Sequence, residues 1–211
     1  MPYRSLKAMT LWFSLFVSFV FTVSLLVPIH ANAALSDNQL KVLRNVSKQM
    51  NSYRTMSGEF LQTGPNGGTA KGVFHLKRPG QIRFKYNEPD TIDIIADGES
   101  VAVINKELET QDLLPLKNTP LRYLLRRRLN LAEVDGVKNV GLLGDNIVVI
   151  IEDKEAFNES RLRLFFHKES FELQQWIVTD AQGLDTSVQI FNTQKDSEVK
   201  NNWFRIKYPG Q

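Results

Sequence analysis

The sequence predicts a mainly β fold with some helix: an incomplete, half-open antiparallel barrel of about eleven strands, covered by an N-terminal helix and a helical lid. Short runs of alternating apolar and polar residues, separated by turns rich in Gly, Pro and Asn, indicate antiparallel hairpins. About eleven such runs are more than a flat twisted sheet holds without curling. Two apolar helical stripes, one before the strands and one between two sets of strands, need an apolar surface to cover.

The first 33 residues predict a cleaved secretory signal. Arg4 and Lys7 precede an almost uncharged apolar run over residues 10–27, and an Ala-x-Ala site ends at Ala33. The apolar run would just span a bilayer, so a retained membrane anchor is the alternative. The Ala-x-Ala site directly after the run favours the signal, and we expect residues 34–211 to form one domain.

Charge and cysteine content exclude several classes of function. Loss of Arg4 and Lys7 with the signal leaves 24 of the 26 basic residues against 23 acidic ones. This near balance removes the case for a protein that binds nucleic acid or an anionic membrane. The absence of cysteine excludes disulfides, thiolate catalysis, cysteine metal sites and a lipid on an N-terminal cysteine. Export without any disulfide suits a bacterial periplasm.

The first predicted element after the signal is an amphipathic helix. Ser36 and Gln39 have the spacing of a capping box, in which each side chain bonds to the other residue's backbone N–H. Apolar residues then recur every three or four positions, which predicts a single stripe that packs on the sheet. The stripe consists of Leu40, Leu43, Val46, Met50 and Tyr53.

Two sets of strands follow, because the apolar period changes to two residues from Met56 onward. The strands predicted in the first set are GEFLQT, TAKGVFHLK, IRFKY, TIDIIA and VAVI. Those predicted in the second set are VKNVGLL, NIVVIIE, RLRLFFH, ELQQWIVT, TSVQIFN and WFRIKY.

Between the two sets, the segment LLPLKNTPLRYLLRRRLNLAEV predicts a second helical element. Thr119 has the N-cap position and Pro120 the first helical position. The arginines Arg126, Arg127 and Arg128 predict a solvated helix face, with an anion site as the alternative. A leucine stripe beside them requires burial, and the open mouth of a curved sheet is the natural place for it. That stripe consists of Leu121, Leu124, Leu125 and Leu129.

No motif in the chain selects a catalytic, metal or cofactor site. His75 and His167 each lie in a predicted strand without a metal-ligand partner nearby in sequence. The chain has no Gly-x-Ser-x-Gly elbow, and its GPNGG segment lacks the Lys-Ser/Thr end of a phosphate loop. The scattered carboxylates leave a glycosidase pair open but select none. We therefore expect no enzyme activity, no metal and no cofactor, and instead an apolar cleft that binds apolar ligands.

The stretch HLKRPGQIRF places an arginine in register with an apolar face. Counting back by twos from Arg78 gives Leu76 and Phe74, which in a strand share one side. Pro79 and Gly80 suit the two central positions of a type II turn. From this spacing alone, Arg78 either lies at the rim of the apolar face or points to solvent.

Five segments resemble the LolA family of periplasmic carriers for outer-membrane lipoproteins. They are FLQT, KGVFHLKRPGQIRFKYNEPD, IIADGESVAVI, NTPL and LQQWIVTDAQGLDTSVQIFN, in the family's order and over nearly all of the chain after the signal. The KRP element and the W-x-V-x-D-x-x-G pattern are the most specific. The resemblance implies an incomplete antiparallel barrel that is closed by helices around a hydrophobic cavity.

The resemblance also implies roles for individual residues. Arg78 matches the family arginine that bonds to the helical lid and holds the empty carrier closed, a role called here the latch. For the hydrophobic cleft we expect Phe60, Phe74, Leu76, Ile82, Phe84 and Ile94, and for the lid Leu121, Leu124 and Leu125. A one-residue shift in the pairing of any strand would instead turn the side chains of that strand's other face into the cleft.

The function implied by the resemblance is that of a monomeric, non-enzymatic periplasmic carrier in a Gram-negative bacterium. It would bind the acyl chains of lipoproteins, receive them from an inner-membrane ABC-type release complex and pass them to an outer-membrane receptor of the LolB type. LolB itself is a lipoprotein, and the lack of cysteine argues against that identity. The alternative is an RseB-like domain that senses lipid or peptide, for whose usual second domain this length leaves little room. A hydrolase is the third possibility, disfavoured by the missing motifs.

Overall fold

The computed structural model describes residues 34–152 and 160–208, which belong to one compact unit. The predicted signal over residues 1–33 lies outside the described residues, and its cleavage stays a prediction. Within the described residues, no helix is both long enough and apolar enough to cross a membrane.

Eleven antiparallel strands form one sheet in the order β6-β5-β4-β3-β2-β1-β11-β10-β9-β8-β7. Each set of strands is a meander, and the pairing of β1 with β11 joins the two sets. β6 and β7 are the two ends of the sheet, so the predicted incomplete barrel of about eleven strands is confirmed. The strands are β1 Thr55–Thr63, β2 Thr69–Lys77, β3 Gln81–Tyr86, β4 Ile92–Asp97, β5 Ser100–Asn105, β6 Thr110–Pro115, β7 Val137–Leu143, β8 Asn146–Glu152, β9 Arg161–His167, β10 Leu173–Thr179 and β11 Asp185–Lys195.

The sheet curls strongly around a single core. β3 and β10 are four strand steps apart, which would be about 19 Å on a flat sheet. The rings of Phe84 on β3 and Trp176 on β10 are nevertheless only 6.0 Å apart. One cluster of buried residues takes members from both meanders and from the helices, so the concave face of the sheet encloses the core.

One predicted strand was wrong and one observed strand was missed, although the predicted number of strands was right. WFRIKY is not a strand: Asn201–Phe204 is a 3-10 turn, and the residues after it pair with no strand. The eleventh strand is instead β6, which the sequence analysis placed in the break before the lid. β6 has mostly exposed side chains and no clear alternation, so its pairing with β5 is what makes it a strand.

The C-terminal segment, residues 201–208, covers the convex face of the sheet with the side chains of its alternating apolar residues. The ring of Trp203 lies 4.3 Å from that of His75, and the Tyr208 hydroxyl donates a 2.6 Å hydrogen bond to Asp97. Ile206 is buried against Ile95 and a neighbouring alanine in a second, small cluster. The alternating apolar residues of this segment therefore pack onto a face of the sheet, and the segment is not itself a strand of that sheet.

A buried ion pair lies on the same convex face. Asp93 is 2% exposed, and its two carboxylate oxygens accept hydrogen bonds of 3.0 and 2.5 Å from Nε and Nη2 of Arg83. Another Arg83 nitrogen lies 3.5 Å from the carbonyl of Trp203. Because both carboxylate oxygens are paired, this arrangement supports structure and offers no free acid or base.

The first helix, α1 (Asp37–Met50), begins at the predicted capping box, which is confirmed. Gln39 N donates to Ser36 Oγ at 3.3 Å, and Ser36 N donates to Gln39 Oε1 at 2.9 Å. Gln39 Nε2 also donates to the Val140 carbonyl on β7 at 2.8 Å, which ties the start of α1 to one end of the sheet. The helix buries Leu43, Val46, Ser47 and Met50 in the core.

The environment of His75 predicts a stability that depends on pH. Burial, together with the Arg83 guanidinium, lowers the pKa of His75 below its usual 6.5. The unfolded chain therefore binds more protons than the folded one near and below pH 6.5, so the free energy of unfolding falls as the pH falls through this region. In urea titrations between pH 7 and 5, His75→Gln should lose less stability than the wild type.

The matched control for this experiment is His167→Gln, which changes the other histidine of the described residues. An equal loss of pH dependence in both variants would mean that the effect is not specific to His75. An equal slope for the wild type and His75→Gln would contradict the assignment to His75.

Candidate ligand cavity and lid

The lid segment, residues 116–133, contains the short helix α2 (Leu121–Leu124) between two 3-10 turns. The predicted continuation of this helix to Leu129 is wrong, and so is Thr119 as its N-cap. Pro120 precedes the helix, and the Thr119 hydroxyl donates to the Leu116 carbonyl at 2.9 Å instead of accepting from the helix. The leucines of the predicted stripe still face inward: Leu124, Leu125 and Leu129 are buried, and Leu121 is half-buried.

The helix ends where it does because partners outside it take its carbonyls. The Leu124 carbonyl accepts a 3.0 Å hydrogen bond from Arg78 Nε, and the Leu125 carbonyl accepts a 2.8 Å bond from Gly80 N–H. In a longer helix these carbonyls would accept from residues four positions ahead. The turn after β2 therefore fixes the end of α2.

The far end of the lid segment is bonded to α1 and its cap. Asn51 Nδ2 donates to the Leu129 carbonyl at 2.7 Å, and its Oδ1 accepts from the Leu129 N–H at 2.9 Å. Ser47 Oγ accepts a further hydrogen bond from the Leu131 N–H at 2.9 Å. These bonds replace those that a continuing helix would make, and they hold the lid across the barrel mouth.

Arg78 lies at the junction of all these parts and is only 5% exposed. Besides its bond to Leu124, its guanidinium donates to the Met50 carbonyl and lies 3.5 Å from the Tyr53 carbonyl and 4.8 Å from the Tyr53 ring. Met50 is the last residue of α1, so the cation lies at the negative end of the helix dipole. The alternative that Arg78 points to solvent is therefore wrong.

The turn after Arg78 directs the side chain inward. The Arg78 N–H donates to the Arg54 carbonyl at 2.8 Å, and the Arg78–Pro79 peptide bond is cis. Gly80 has a φ of +82°, as the predicted turn requires, and a Cβ there would lie 2.6 Å from Gly98 Cα. Glycine is needed at this position for both its conformation and its small size.

Beneath the lid is a cavity of about 130 Å³. No charged side chain of the described residues lines it, and three of its residues, Pro120, Leu121 and Leu124, come from the lid segment. Ligand pockets usually measure about 300–1,000 Å³, so the cavity is smaller than an ordinary ligand site while these lid residues are in place. The remaining lining residues are Gln62, Phe84, Tyr86, Ile94, Leu162, Trp176, Val178 and Val188.

The six strand residues expected in the cleft all lie on the concave face, because Phe74 pairs with Phe84, Leu76 with Ile82, and Phe84 with Ile94. Only Phe84 and Ile94 line the cavity itself. Phe60, Phe74, Leu76 and Ile82 are buried in the adjoining core. Leu125, expected on the lid's inner side, is buried but does not line the cavity.

Sequence reasoning missed the cavity residues on the second meander, including Trp176 and Val188. These two residues are cross-strand partners on β10 and β11. Alternation on β11 places Val188 on the same face as Ile190, the partner of Phe60. The same parity rule that selected residues on the first meander would have found them.

The polar groups of the cavity wall are neutral. Burial raises the pKa of Tyr86 to about 12, and its hydroxyl donates to Gln62 Oε1 at 2.7 Å. The Phe60 ring packs edge-on against Phe84 and Tyr86, at 5.1 and 5.0 Å between centroids. A Cβ at Gly72 would lie 2.8 Å from the Phe60 ring, so glycine makes room for this aromatic group. The wall suits an apolar ligand.

The histidines lie in local contacts away from the cavity. His75 Nδ1 lies 2.9 Å from Ser57 Oγ on the convex face, and His167 Nδ1 accepts from the Ser170 N–H at 3.3 Å. Among the described residues, no group of three His, Asp or Glu side chains is arranged to hold a metal ion.

Comparison with known proteins identifies the family. The family described as "Outer membrane lipoprotein carrier protein LolA" matches residues 51–207. The chain belongs to the LolA family. Two relatives are each named "Outer-membrane lipoprotein carrier protein". The one from Methylobacillus flagellatus is 27% identical over 66% of this chain and 69% of the relative. The one from Francisella philomiragia is 23% identical over 92% of each chain. The crystal structure of a LolA superfamily protein from Nitrosomonas europaea is similar with a TM-score of 0.43, at 11% identity, over 80% of this chain and 97% of that one. The LolA family is a periplasmic family of carriers and not of enzymes.

The bonds of Arg78 predict the effect of removing them. Hydrogen bonds from a charged group stabilise by about 1.5–3 kcal/mol each, and every 1.4 kcal/mol changes an opening equilibrium about tenfold. Arg78→Leu should therefore speed hydrogen–deuterium exchange of the lid segment at least about tenfold, while the core strands stay protected.

The matched control is Arg128→Leu, which removes an exposed arginine from the same segment. It should leave lid exchange unchanged. Equal exchange rates in the wild type and Arg78→Leu would contradict the latch.

Proposed function

We propose that this protein is a periplasmic carrier that binds the acyl chains of lipoproteins beneath its lid and carries them across the periplasm. It would receive cargo from an inner-membrane ABC-type release complex and deliver it to an outer-membrane receptor of the LolB type. The observation that carries the proposal is an uncharged cavity filled partly by leucines of a lid that polar bonds hold closed. Membership of the LolA family and the names of the two relatives support it.

The energies involved suit a carrier that must also release its cargo. Burying the roughly 15 methylene groups of one palmitoyl chain gains about 12 kcal/mol, at about 0.8 kcal/mol each. Displacing the lid exposes two leucines, at about 1.5–3 kcal/mol each, and breaks the one bond that joins Arg78 to the lid, also at about 1.5–3 kcal/mol. The lid thus offsets about 4.5–9 kcal/mol, so closure takes back a large part of the free energy of acyl binding.

Ligand binding and lid closure exclude each other in this arrangement. The cavity of about 130 Å³ is too small for an acyl chain while Leu121 and Leu124 occupy its mouth. An entering chain takes the place of these side chains against Phe84, Ile94 and Trp176. Cargo binding therefore replaces the leucine side chains of the lid with an acyl chain in the same space.

Tryptophan fluorescence tests where the acyl chain binds. Trp176 lines the cavity, whereas Trp203 lies on the convex face. Palmitic acid brominated along its chain should quench the wild type saturably, because bromine quenches indole on contact. Trp203→Phe, the matched control, should keep this quenching and Trp176→Phe should lose it. Quenching that depends on Trp203 instead would place the ligand outside the cavity and contradict the proposal.

Transfer of native cargo tests the carrier role itself. The purified protein should keep a triacylated lipoprotein in solution and give it up to a LolB-type receptor. Arg78→Leu should bind cargo but deliver it more slowly, since the lid no longer competes as well for the cavity. Acyl binding without any transfer would favour a lipid-sensing domain and overturn the carrier role.

The periplasmic location is tested at the N-terminus. We expect the mature protein to begin at Ala34, because the Ala-x-Ala site ends at Ala33. N-terminal sequencing of protein from the periplasmic fraction checks this expectation. A start at Met1 would favour a protein that stays tethered to the membrane.

A further inference from the structure

The outer side of the lid segment borders a groove of about 680 Å³, separate from the cavity beneath the lid. Its apolar surface comes from the exposed Pro79 and Pro115 beside the glycine turns at Gly80 and Gly98, whereas Leu116 and Leu125 lie buried beneath it. The volume lies within the range of about 300–1,000 Å³ that is usual for ligand sites. The floor is apolar and free of bulky side chains where the two glycines lie.

The rim of the groove is strongly basic. Arg126 and Arg127 line it and are exposed, and neither makes an ion pair with any described residue. Lys117 adds a further cation, and Glu99 is the one carboxylate among the described lining residues. Such a concentration of positive charge contrasts with the near neutrality expected for the mature chain.

The groove has walls from two parts of the molecule. Arg126, Arg127 and Leu125 belong to the lid segment, whereas Gly80 and Gly98 belong to turns of the sheet. The bond from Gly80 N–H to the Leu125 carbonyl closes the junction at 2.8 Å. Moving the lid away from the sheet would separate the walls, so the groove is complete only when the lid is closed.

We propose that this groove binds an extended, acidic peptide segment of a partner protein, and that it does so only in the lid-closed state. Arginine guanidinium groups bind carboxylates through paired, charge-assisted hydrogen bonds. In an extended chain alternate side chains point to opposite sides, so carboxylates would meet Arg126 and Arg127 while apolar side chains lie on the exposed Pro79 and Pro115. A membrane surface is the other occupant that the vesicle experiment below distinguishes from the peptide.

The effect on cargo follows from linkage and rests on the proposed carrier function. A ligand that binds only the closed state shifts the lid toward closure. It therefore weakens acyl binding, and acyl binding weakens the affinity for the peptide by the same factor. A partner with an acidic segment would promote the release of cargo.

Fluorescence anisotropy with a labelled hexapeptide of alternating Glu and Leu tests the site. The wild type should bind it saturably, and the double variant Arg126→Glu/Arg127→Glu should bind at least about tenfold more weakly, since two charge-assisted contacts become repulsive. Arg128→Glu is the matched control: it reverses an exposed arginine of the same block that does not line the groove, and should change affinity less than about twofold.

Three results would overturn the peptide site. Equal weakening by Arg128→Glu would mean that only the general charge of the block matters. Equal binding of a peptide with Gln in place of Glu would remove the role of the carboxylates. Binding to phosphatidylglycerol vesicles without binding to the peptide would assign the basic rim to a membrane surface.

The closed-state requirement is tested with palmitate and, separately, with the latch variant. Saturating palmitate should weaken peptide binding several-fold, and Arg78→Leu should weaken it without any palmitate. Unchanged peptide affinity in both experiments would overturn the coupling to the lid. If palmitate does not bind at all, the carrier proposal fails, while the Arg78→Leu experiment still decides the coupling.

Discussion

Burial of one positive charge sets the closed arrangement of this protein. The guanidinium of Arg78 is 5% exposed and, among the described residues, makes no ion pair. A buried cation without a carboxylate must be satisfied by oxygen acceptors. Here the acceptors are carbonyls at the end of α1, in the loop after it, and at the end of α2. These three parts have to meet at one point, and that point is the mouth of the barrel.

The lid is therefore ordered by its neighbours and not by its own sequence. A helix of four residues has no stability of its own, since isolated helices shorter than about 12 residues are marginal. Its position depends on bonds from Arg78, Gly80, Asn51 and Ser47, all of which come from other elements. The eleven-stranded ladder needs none of these bonds. We expect the lid to open while the sheet stays folded, as the proposed exchange of cargo requires.

Much of this architecture could be predicted, because alternation and capping are local signals. The strand faces followed from parity, and Ser36 with Gln39 marked the start of α1. The end of α2 could not be predicted, since it depends on partners such as Arg78, 46 positions away from Leu124 in the chain. The alternating C-terminal segment covers a sheet face, and only its tertiary contacts distinguish that from pairing. The KRP motif pointed to Arg78, which contacts α1 and the lid, but no motif indicated which of the buried aromatic residues face the open space of the cavity.

The central claim is that an acyl ligand and the closed lid compete for one space. The chain has no cysteine, so spin labels can be placed at Lys71→Cys on the convex face of β2 and at Arg127→Cys on the lid segment. Pulsed electron paramagnetic resonance measures the distance between the two labels. We expect one narrow distance without ligand and a longer, broader distribution with saturating palmitate. An identical distribution in the presence of bound palmitate would contradict the account.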